Sequence, residues 1–89
     1  MIVEISKFEM LYLKNARFLL PDLMRFVDSA QETSRKKFHI ILQINIAEEF
    51  RSTFTDRLAK VGFGPDYELT NEGKLLEGLI DQFGRDHAK

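Results

Sequence analysis

An α+β domain is predicted by three features of the chain: apolar and polar residues alternating from Phe38 to Ile46, helix-capping signals at Ser6 and Thr70, and an apolar stripe crossing Pro21 without losing phase. In the predicted fold a central strand, about residues 38–46, lies in a small sheet. A long N-terminal helix kinked at Pro21 and two further helices pack on that sheet. Eighty-nine residues make one domain, 1–89, with no room for a second core. Residues 85–89 read as a frayed tail.

Taken in order, Ile2, Val3 and Ile5 suit a short strand. Ser6-Lys7-Phe8-Glu9 fits a capping box, and Ile5 with Met10 occupies the two positions of a hydrophobic staple, so a helix begins at Lys7. Pro21 would ordinarily end it. Phe8, Tyr12, Ala16, Leu19, Leu23, Phe26 and Ala30 nevertheless share one stripe at 100° per residue, which favours a single kinked helix from about Lys7 to Gln31. Gln31–Lys37 is polar and aperiodic and reads as the loop into the strand.

In the strand, Phe38, Ile40, Leu42, Ile44 and Ile46 share the core face, and His39, Gln43 and Asn45 point away. Asn45 reads as the cap of a second helix whose inner face is Ala47, Phe50, Phe54, Leu58 and Val61, with Gly62 as a left-handed stop. Tyr67-Glu68-Leu69 is a short extended piece. Thr70 then caps a third helix, with Leu75, Leu76, Leu79, Ile80 and Phe83 inside and Gly84 at its end. Gly78, set away from that stripe, should cost about 1 kcal/mol relative to alanine.

Composition narrows the function classes. A net charge of −1 supplies no basic footprint for nucleic acid, so nucleic-acid binding is not expected. The absence of cysteine removes thiolate catalysis and Cys-ligated zinc. No apolar run is long enough to span a membrane and the first residues do not read as a signal peptide, so the expectation is a soluble, cytoplasmic protein. His39 and His87 have no signature neighbours, and Asp66, Glu68 and Glu72 lack the spacing of a calcium loop. No catalytic residue, cofactor, metal site or small-molecule substrate is expected.

Tyr67-Glu-Leu-Thr-Asn-Glu-Gly73, followed by Leu75-Leu76, resembles the passage from wing to last helix in winged-helix repressors. Ser52–Phe63 before it is similar to their recognition helix. The resemblance covers about a third of the chain and implies a DNA-binding regulator as an alternative function, with Arg51, Arg57 and Lys60 on the helix that would meet DNA.

A different signal is favoured. Once its core stripe is removed, the first helix keeps Met10, Leu13, Leu20, Met24 and Val27 on a second face, with Arg17 in mid-seam. Either another element of the same chain covers this seam or a partner does, and the partner surface is the favoured reading. The expected function is therefore a non-enzymatic protein–protein interaction module of regulatory, adaptor or toxin-neutralising type, self-associating as a dimer through its first helix. The Arg35-Lys36-Lys37 cluster could contact an anion or an acidic partner.

Overall fold

The computed structural model describes residues 1–33 and 36–87. Among them the order is β1 (Ile2–Ser6), α1 (Lys7–Lys14), α2 (Pro21–Asp28), β2 (Gln31–Glu32), β3 (Lys37–Ile41), α3 (Ile44–Val61) and α4 (Asn71–Gln82). The α+β class stands; the long kinked N-terminal helix does not. The sheet is antiparallel with β3 in the middle, in the order β1-β3-β2. Val3, Ile5, Ile40 and Leu42 face inward, and Glu4 lies directly opposite His39 on the outer face.

The capping box forms as expected. The Ser6 hydroxyl accepts from the Glu9 amide at 3.1 Å and the Glu9 carboxylate accepts from the Ser6 amide at 2.8 Å. Ile5 and Met10, the staple pair, are both buried.

Pro21 opens a helix instead of kinking one. It forces Leu20 into extended backbone (φ −66°, ψ 150°) and occupies the first helical position, where its missing N–H costs nothing. The preceding helix has already closed at Asn15, whose amide and side-chain nitrogen both donate to the Leu11 carbonyl. The stripe that runs through the proline thus belongs to two helices, with residues 15–20 crossing between them.

The central strand is also shorter than 38–46. Alternation holds through Leu42, which exchanges hydrogen bonds with Met1. Beyond it the pairing with β1 has ended, and the Ile46 and Ala47 amides turn back to the Gln43 carbonyl. Gln43, not Asn45, is the cap of α3, and its side chain makes no capping bond. Ile44 is exposed, while Ala47, Phe50 and Phe54, spaced by three and four, enter the core.

There Phe50, Phe54 and Phe83 form an aromatic cluster with ring centroids 4.7–5.9 Å apart. Edge-to-face pairs carry it outward to Phe26 on one side and Phe18 on the other. α3 and α4 are locked by Thr70. Its hydroxyl accepts from the Gly73 amide at 2.9 Å, capping α4, and donates to the Val61 carbonyl at 3.0 Å, satisfying the end of α3. Gly62 is not left-handed (φ −78°). It is the surface on which Gly73 rests: a Cβ on Gly73 would overlap the Gly62 carbonyl and lie 2.9 Å from its Cα.

The tail after α4 is tied down. The Ile2 amide donates to Asp86, and the His87 amide donates to the Ile2 carbonyl at 2.7 Å. Ala88 and Lys89 lie outside the described residues.

Candidate protein-binding groove

In α1 the two apolar faces are exchanged relative to the sequence expectation, whereas Leu19 and Leu23 of the expected core stripe are buried. Met10, Leu13 and Val27, expected at a partner surface, are 2%, 0% and 0% exposed and sit in the core of the single chain. Met24 is half-buried against that core. Leu20 and Arg17 are exposed. Conversely Phe8, expected inside, is 72% exposed and Leu11 is 50% exposed. The reason lies in the entry of α1. With both staple residues buried, Met10 faces inward, so Leu13 follows it and Phe8 and Leu11 turn out.

Phe8 and Leu11 stand at the lip of a groove of about 500 Å³, lined also by Tyr12, Ala16, Phe18, Arg57 and Glu72. Of the six residues of the expected seam, Arg17 alone lines it. The groove exists because residues 15–20 leave α1 sharply and lay Phe18 across α3. Tyr12 and Phe18 pack at 6.0 Å and Phe18 meets Phe54 edge-on at 6.5 Å, joining the groove wall to the core cluster.

Its polar end draws residues from three helices. The Tyr12 hydroxyl donates to Glu72 Oε2 at 2.6 Å, and Arg57 Nε lies 3.7 Å from the same oxygen. The Arg57 guanidinium sits 5.4 Å from the centre of the Phe18 ring, a cation–π distance. Arg57 Nε is buried and makes no hydrogen bond. Burial first, and the bond to Glu72 second, push the Tyr12 phenol well above its ordinary value of 10.0, so it remains a neutral donor. Glu72, in the first turn of α4, is favoured by the helix dipole as well. The arrangement offers apolar walls and one oriented, hydrogen-bonded polar end.

The remaining expected sites scatter. Lys36, just before β3, and Lys37, its first residue, are exposed, and Arg35 lies outside the described residues. The three cations of the winged-helix resemblance have different neighbours. Arg57 is committed to Glu72 and Phe18, the Arg51 guanidinium lies against Gly84, and Lys60 is exposed. The extended piece at Tyr67–Leu69 forms one bridge, Phe63 to Leu69, in place of a wing. No helix among the described residues is long and apolar enough to cross a membrane.

No protein-family model, curated protein or solved structure matches this chain. The groove was hidden from sequence reasoning because Tyr12 and Glu72 are 60 positions apart. The one local clue was the Ile5–Met10 staple, which already implied the rotation of α1.

Proposed function

We propose that this domain is a non-enzymatic protein-binding module that pairs with a second copy of itself through the outward face of α1 and the adjoining groove. The observation that carries the reading is Phe8, 72% exposed on a well-formed helix beside an apolar concavity. In a two-fold contact the same patch serves both partners, so each Phe8 can enter the groove of the other chain. With a net charge of −1, two copies repel little.

Magnitudes set the expected strength. Phe8 and Leu11 from two chains are four apolar side chains, each worth roughly 1.5–3 kcal/mol if fully buried. Association costs about 4–15 kcal/mol before any contact contributes. The balance favours a weak dimer whose occupancy depends on concentration. Sedimentation of the untagged chain over a concentration series should show a shift from monomer to dimer. Phe8→Asp, at a position whose side chain is mostly in water, should remain folded and stay monomeric throughout. A wild-type chain that is monomeric at high micromolar concentration would refute self-pairing.

A further inference from the structure

A second cluster lies on the outer face of the sheet. Glu4 and His39 face each other across the β1–β3 ladder, with Glu4 Oε2 and His39 Nε2 3.0 Å apart. The tail after α4 brings His87 to the same oxygen, Nε2 to Oε2 3.2 Å, and its ring meets His39 edge-on at 5.5 Å between centroids. One ligand atom from each of the three residues falls within 4.8 Å of the other two. From these positions we infer that Glu4, His39 and His87 form a binding site for a divalent transition-metal ion of the zinc class.

The donor set decides the class of ion. Two imidazoles and one carboxylate suit zinc, nickel or cobalt, whereas magnesium and calcium require oxygen ligands. The distances suit the geometry. Ligands held about 2.0–2.1 Å from a tetrahedral ion stand roughly 3.3 Å from one another. Both Glu4–histidine separations already lie within a few tenths of an ångström of that figure. The remaining adjustment is between the two imidazoles, and rotation of the exposed His87 side chain can make it while its backbone stays bonded to Ile2.

Glu4 supplies the negative charge the site needs. An ordinary glutamate carboxyl is ionised at neutral pH and is a common zinc ligand. A bound ion would take the place of any proton on the nitrogen that ligates it. Three protein ligands leave a fourth position for water. The ion would fasten β1, β3 and the C-terminal tail at one point, and the backbone has already brought the tail there through the His87–Ile2 and Ile2–Asp86 bonds.

The test uses the untagged full chain, stripped with chelator, in thermal unfolding with added ZnCl2, NiCl2 or MgCl2. Zinc and nickel should raise the midpoint and chelator should reverse the rise, while magnesium should leave it unchanged. His39→Gln, His87→Gln and Glu4→Gln should each weaken zinc binding, measured by calorimetric titration, at least about tenfold; replacing a mere outer-shell partner of a metal ligand already costs about that. Cobalt should give the visible absorption of a tetrahedral N/O site in the wild type and lose it in His87→Gln. That variant keeps the His87 amide bond to the Ile2 carbonyl and leaves the core side chains untouched, so it keeps the fold. The proposal is overturned if zinc fails to raise the midpoint, if magnesium raises it equally, or if the glutamine variants bind zinc as tightly as the wild type.

Discussion

The two helix pairs of this domain are joined in opposite ways. Between α3 and α4 backbone touches backbone: Gly73 rests on Gly62, and one hydroxyl, that of Thr70, bonds the end of one helix and the start of the next. Between α1 and α2 the joint is filled by side chains. Residues 15–20 span it, with Leu19 buried and Phe18 half-buried against α3. The first joint is closed where Gly73 meets Gly62, and the second lends residues 15–18 to the wall of the groove. A close backbone contact suits a joint that is purely structural, whereas a side-chain joint leaves shape and polarity to be set by individual residues. The proposed binding surface therefore lies at the looser joint.

The sharpest way to test the difference is to force the tight joint apart. Gly73→Ala puts a Cβ into the Gly62 backbone, which cannot yield as a flexible side chain would. Overpacking of this kind costs about 1–3 kcal/mol, partly offset by the helix preference for alanine over glycine. The urea midpoint should fall by a matching amount with the slope unchanged. An unchanged midpoint would show that the α3–α4 contact is slack, and the contrast between the joints would disappear.

The same contrast explains what could be read from the sequence. Around α3 and α4 the partners are near one another along the chain, so local signals and tertiary contacts agree: the Thr70 cap and the Phe50, Phe54, Leu76 and Leu79 faces are all where their spacing puts them. In the first 33 residues two apolar faces compete on each helix, and contacts with β1 and β3 decide between them. Phe8 and Met10 could be told apart only by giving the staple more weight than the long stripe. Pro21 was ambiguous in the same way, since a proline that kinks a helix and one that starts a helix leave similar patterns. The strand alternation at Ile44 and Ile46 was coincidental, because α3 has already begun at Ile44. Both candidate sites join distant positions, Tyr12 to Glu72 and Glu4 to His39 and His87, and no local pattern marks them.

A smaller effect, of opposite sign, is expected from the other glycine of α4. A Cβ on Gly78 would meet only Glu9 Oε2, at 3.5 Å, an ordinary contact. Gly78→Ala should therefore raise stability by up to about 1 kcal/mol, the usual difference between the two residues inside a helix. The Glu9 carboxylate also belongs to the α1 capping box through its other oxygen, so the result bears on both helix pairs. A fall in the midpoint would mean that the new methyl group dislodges Glu9 and that the cap is more tightly constrained than the 3.5 Å spacing implies.

The smallest effect separates the two halves at their turns, where the chain uses one device twice. The Thr33 amide donates to the Lys37 carbonyl and the Gly64 amide to the Glu68 carbonyl, each at 2.8–2.9 Å. In each case the residue just before the acceptor, Lys36 or Tyr67, has left-handed backbone, with φ of 66° and 62°. Left-handed backbone is the conformation that glycine adopts most readily. A residue with a Cβ in that region costs roughly 1–2 kcal/mol. Glycine removes the cost but adds freedom to the unfolded chain, so the net gain for Lys36→Gly or Tyr67→Gly should stay under about 1 kcal/mol. The two turns differ in what hangs on them. The Lys36 carbonyl accepts the Lys7 amide at 2.9 Å and so anchors the start of α1, whereas Tyr67 is almost fully exposed on a one-bridge hairpin. Lys36→Gly should therefore also slow hydrogen exchange of the Lys7 amide, by less than about fivefold for a gain under 1 kcal/mol. Tyr67→Gly should leave that amide beyond the change in global stability unaffected. If both substitutions raised stability without distinguishing the Lys7 amide, the α1 entry would not depend on the sheet hairpin, and the rotation of Phe8 toward solvent would rest on the Ile5–Met10 staple alone.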